Sequence, residues 1–130
     1  MNHSLPDHLL DLLAQEERHL SLAPVAFFKA WKRGVELSGT QWFGNGSREA
    51  LELAQSPWDL CPDLARIKRG LGVLSSGEKI FLAAMVSFYN AHEGGSMLKR
   101  CHVEGLADLG GLDLQRRKVI VELLLHYSGW

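Results

Sequence analysis

Apolar residues recur at helical spacing along most of the chain. Leu5, Leu9, Leu12, Leu13 and Leu20 follow Ser4 and Asp7, which have the spacing of a capping box, and predict a first helix over residues 5–19. Val25, Phe28, Trp31 and Val35 keep the period. Pro24 suits a first helical turn, where a missing N–H costs little, so a second helix is expected over 24–36. Residues 37–47, LSGTQWFGNGS, are dense in the Gly, Ser and Asn that turns require and form the longest expected loop. Asn45-Gly46 would signal a hairpin between strands, but no strand pattern flanks it. The next residues read as a short helix over 48–55 with Ser47 as its N-cap, closed by Ser56-Pro57, and then another over 63–69, ended by Gly70 and Gly72.

The strongest element begins at Ser75, which forms an S-x-x-E capping box with Glu78 in front of Ile80, Phe81, Leu82, Met85, Val86, Phe88 and Tyr89. It predicts a helix over 76–91 whose apolar residues run almost all the way round, the mark of burial on most sides. The same pattern recurs over 114–127, where Glu122 and His126 alone interrupt Val119, Ile120, Val121, Leu123, Leu124 and Leu125; Asp113 is the expected N-cap and Gly129 the stop. Between these two lie the Gly94-Gly95 turn and two short helices, over 97–101 and 104–109. The β-branched run 119–121 has no second strand to pair with. The expected fold is therefore an all-α, compact single-domain bundle of about five to seven helices spanning residues 1–130. The first two helices cover a central pair at 76–91 and 114–127.

Composition narrows the function more than it defines it. A chain of 130 residues with 46% hydrophobic residues builds its own core without disulfide or metal staples, and a net charge of −1 excludes a globally basic or acidic binder. No apolar run is long enough for a membrane span, and residues 1–7 lack the basic and apolar regions of a signal peptide, so a cytoplasmic protein without membrane contact is expected. The overall impression is bacterial. Cys61 and Cys101 show no zinc-ribbon spacing and read as reduced thiols.

Basic residues fall in clusters. Lys29, Lys32 and Arg33, then Arg66, Lys68 and Arg69, then Lys99 and Arg100, sit at expected helix C-termini, where cations oppose the negative end of the dipole. Arg116, Arg117 and Lys118 differ. They occupy a first turn, where the dipole disfavours them, and with the free amides of a helix N-terminus they could bind a phosphate, a nucleic-acid backbone or a partner's carboxylate. The competing explanation is neutralisation by Asp113, Asp108 or Glu122.

Six histidines raise metal binding, yet His8 and His19 are too far apart to clasp one ion, and His92, Cys101 and His102 with Cys61 match no ligand spacing. Residues 90–101 fail as a calcium loop, with Gly94 and Cys101 at ligand positions. The loop at 43–48 lacks a preceding strand and the Lys of a phosphate loop. Glu122 and His126, four apart, could meet as an acid/base dyad or simply form a polar stripe. No catalytic residue, metal ligand or cofactor is assigned.

Aromatics remain. Trp42 and Phe43 in the glycine-rich loop and Trp130 are hard to bury fully, and exposed Trp is the composition of a protein-binding hot spot; rings folded over a small core are the alternative. The expected function is thus a small non-enzymatic interaction or regulatory protein. It would bind a protein partner or a second copy of itself through Trp42, Phe43, Trp130 and the last helix. Nucleic-acid or phosphate binding through Arg116, Arg117 and Lys118 is the alternative, and a metal protein or enzyme the third reading.

Overall fold

The computed structural model describes residues 6–130, and among them the chain is all-α: α1 (Asp7–Ser38), α2 (Arg48–Leu53), α3 (Leu64–Gly70), α4 (Ser76–Tyr89), α5 (Ala91–Arg100) and α6 (Leu114–Leu125). Short 3-10 turns, Thr40–Trp42, Pro57–Leu60, Leu71–Val73 and Leu106–Gly111, connect them. The caps expected at Ser47, Ser75 and Asp113 form, and Asp63, expected as the first residue of its helix, is a cap as well. Ser47, Asp63 and Asp113 accept from the amides of Ala50, Arg66 and Arg116, and Ser75 with Glu78 completes the capping box. Ser4, the expected cap of the first helix, lies outside the described residues.

Three elements differ from expectation. The first and second helices are one, because α1 runs unbroken for 32 residues with Pro24 inside it. Proline removes the hydrogen bond to the carbonyl of Leu20. Both residues are exposed, so water can serve the freed carbonyl. Likewise Gly94-Gly95 is no turn but part of α5. Asn90 both ends α4, through its N–H to the Val86 carbonyl, and caps α5, through its side chain to the Glu93 amide at 3.0 Å. A single residue therefore joins the two helices. Gly94 lets them touch, since a Cβ there would overlap the backbone of Ser87. The expected helix over 104–109 forms instead as the 3-10 turn Leu106–Gly111, with the Asp108 carboxylate accepting from the Glu104 and Gly105 amides.

One contiguous cluster makes the core, centred on Trp31, Val35, Ile67, Phe81, Met85, Val86, Val119 and Leu123, all inaccessible to solvent. α4 is the central helix, with six consecutive buried residues from Phe81 to Val86. α1 packs against both α4 and α6, and Gly34 marks the crossing, facing Met85 on one side and Val119 on the other. The Trp31 indole N–H donates to the Leu60 carbonyl at 3.0 Å, tying α1 to the Pro57–Leu60 turn through a buried bond.

α6 departs from its expected burial. Val119 and Leu123 alone are fully buried in it, while Leu114, Val121, Leu124 and Leu125 are exposed. The last helix is a cover over the core, apolar on both sides.

Candidate interaction surface

The residues singled out in the 37–47 loop are inside the protein. Phe43 is 1% exposed and Trp42 8%. The cause is a pair of backbone hydrogen bonds that fold the loop inward: the Gly44 amide donates to the Cys61 carbonyl and the Asp63 amide to the Trp42 carbonyl, each at 2.8 Å. Gly44 and Gly46 take positive φ, which the tight turn requires and side chains resist. The expectation of exposed rings at Trp42 and Phe43 is therefore corrected. Trp130 is half-buried, its ring edge-on to Trp31 at 4.6 Å and to Tyr89 at 5.1 Å. Trp58, which packs on Trp130 at 6.0 Å, is the tryptophan that stays exposed.

The basic residues separate. Arg116 pairs with Asp113 at 2.6 Å and lies over the Phe81 ring, so it is absorbed by the fold. Arg66 donates to the Gln41 carbonyl and Lys68 pairs with Glu93. Arg117 and Lys118 stand exposed, with no ion-pair partner among the described residues.

The chemistry candidates do not assemble either. Cys101 is buried in the core and His102 and His92 are exposed. Burial pushes both thiols above the usual cysteine range. His126 makes no ion pair with Glu122; its ring stacks on His19 at 5.1 Å, and His19 Nε2 lies 2.7 Å from the Leu125 carbonyl. Among the described residues no group of three His, Cys, Asp or Glu side chains could hold a metal ion, and no helix is long and apolar enough to cross a membrane.

The most conspicuous surface is one the loop aromatics drew attention away from. Along α1 the positions Leu9, Leu13, Glu16, Leu20, Ala23, Phe27, Ala30 and Gly34 follow one another at alternating spacings of four and three, the seam of a packed helix. From Ala23 onward this seam is buried in the core. Before it, residues 7–22 are exposed throughout, Ala14 and His19 excepted. Leu9, Leu13 and Leu20 thus carry the core-facing stripe beyond the body of the protein, with Leu10, Leu12 and Leu22 beside it. The regular spacing from Leu9 to Gly34 was the signal available in the sequence.

α6 offers a second apolar face next to it. Leu124, Val121 and Ile120 line a groove with Leu106, Leu109, Gly110 and Arg117, about 270 Å³ in volume. Small-molecule sites begin at roughly 300 Å³ and need several convergent polar groups, which this groove lacks. Leu125 reaches a neighbouring groove formed with Leu12, Gln15, Glu16 and His19 of α1. The His19 contact to the end of α6 sits where the exposed part of α1 leaves the body. No family profile, curated protein or solved structure matches the chain.

Proposed function

We propose that this protein is a non-enzymatic protein–protein interaction module that docks a helical segment against the exposed stripe of α1 and the outer face of α6. The supporting observation is the continuation of the core seam into solvent at Leu9, Leu13 and Leu20. A lone helix of that length is marginal in water, since most helical stability comes from packing an apolar face. Exposed apolar area of this extent, rimmed by charge, is the physical profile of a docking surface. Trp58 and Trp130 line a different groove, with Pro24 and Phe27, so the reading rests on the apolar stripes of α1 and α6 rather than on the aromatics.

A synthetic amphipathic peptide helix, leucines at alternating spacings of four and three and lysines opposite, serves as the probe. Leu13→Gln with Leu20→Gln is expected to abolish its saturable binding while leaving the stability of the dilute protein within about 0.5 kcal/mol, the usual range for exposed positions. Unaffected binding, no binding by the original chain, or a large loss of stability would each overturn the proposal.

A further inference from the structure

The two exposed faces match each other. On α6 the outward positions Leu114, Lys118, Val121 and Leu125 are spaced four, three and four apart, the same spacing as Leu9, Leu13, Glu16 and Leu20 on α1. Each stripe is apolar except at one inner position, and the two exceptions carry opposite charge. Laid antiparallel, the stripes put Leu9 against Leu125, Leu13 against Val121, Glu16 against Lys118 and Leu20 against Leu114. All of these side chains are exposed, and among the described residues neither Glu16 nor Lys118 has an ion-pair partner within the chain.

From this we infer that the occupant of the surface is a second copy of the chain, with the exposed part of α1 from one copy lying antiparallel on α6 of the other. The inference rests on the interaction reading above and specifies its partner. Within one chain the stripes do not pair in this way, because Leu125 lies in a groove beside Glu16 and α6 turns Val119 and Leu123 to its own core. A parallel arrangement sets Glu16 against Val121 and Lys118 against Leu13, burying two unpaired charges against apolar side chains, which is costly. The antiparallel register instead pairs them at the centre of the contact.

Charge reversal tests the register with folded proteins, since Glu16 and Lys118 are both exposed. Light scattering across a concentration series is expected to find association of the original chain. Glu16→Lys alone and Lys118→Glu alone should each weaken it at least tenfold, and the two substitutions combined should restore it. Association that ignores the single reversals, or fails to recover in the combination, overturns the pairing. A chain that stays monomeric up to its solubility limit overturns the second copy as occupant. In that monomer, hydrogen exchange over residues 7–22 separates the two claims. Rapid exchange leaves the docking surface standing for another partner, whereas slow exchange means that α1 is held without one and removes the interaction reading as well.

Discussion

Adjacent glycines in α5 are expected to respond to alanine in opposite directions. Alanine is favoured over glycine in a helix interior by about 1 kcal/mol, mostly because glycine loses more backbone freedom on folding. At Gly95 nothing lies within 4 Å of a new Cβ, so Gly95→Ala should gain most of that, about 0.5–1 kcal/mol. At Gly94 the new Cβ would meet the Cα, amide nitrogen and Cβ of Ser87 in α4. Those are mostly backbone atoms, and no rotamer change can move them away. α5 must therefore separate from α4, loosening the packing of Met97, which is buried at 2% exposure. Overpacking of this kind costs roughly 1–3 kcal/mol, with the upper part of that range fitting a backbone obstacle. After the helix-propensity gain, Gly94→Ala should lose about 1–2 kcal/mol. Urea denaturation followed by far-ultraviolet circular dichroism reads both. With a slope of about 1.5 kcal/mol per molar, the midpoint should fall by roughly 1 M in Gly94→Ala and rise by roughly 0.3–0.7 M in Gly95→Ala. Stabilisation by both substitutions would refute the claim that Gly94 exists to let the two helices touch.

Two other outcomes concern buried and capping groups. Trp31→Phe removes the indole N–H that serves the Leu60 carbonyl and leaves space in the core, so a loss of about 2–4 kcal/mol is expected on denaturation; a change below about 0.5 kcal/mol would mean that this bond does not hold the Pro57–Leu60 turn. Hydrogen bonds from the Ser75 hydroxyl and amide hold the Glu78 carboxyl below the usual range, and the Arg116 amide and guanidinium do the same for Asp113. Because the folded state binds these protons less readily than the unfolded chain, the carboxylates stabilise the protein above the ordinary carboxylate range. That contribution is lost as pH falls through the folded values. Glu78→Gln and Asp113→Asn should therefore be less stable than the original chain at neutral pH and converge with it as pH falls below the folded values; a gap that persists in acid would contradict the assignment.

Local chemistry was legible in the sequence wherever a residue acts on its near neighbours. Ser47, Ser75 and Asp113 each cap the helix that comes after them, because a short side-chain oxygen can reach only the amides two or three residues ahead. The all-α class followed from the same local periodicity, as did the central place of α4. Punctuation residues misled where tertiary context overrode them. Pro24 sits within α1 since its missing bond faces solvent, and Gly94 serves a contact with Ser87 that no local pattern announces.

The sequence by itself determined where the capped helices α2, α4 and α6 begin, which helical positions are apolar, and the regular spacing of the α1 stripe from Leu9 to Gly34. Tertiary structure decided which part of that stripe is covered. The body of the protein buries the stripe from Ala23 onward, with the end of α6 touching His19, and leaves Leu9, Leu13 and Leu20 in solvent, while backbone bonds from Gly44 and Asp63 draw Trp42 and Phe43 inside. Apolar character is a property of each residue, but burial depends on what the rest of the chain brings against it. Helical periodicity repeats within a few residues, whereas the contacts that hide or expose it join segments far apart in sequence.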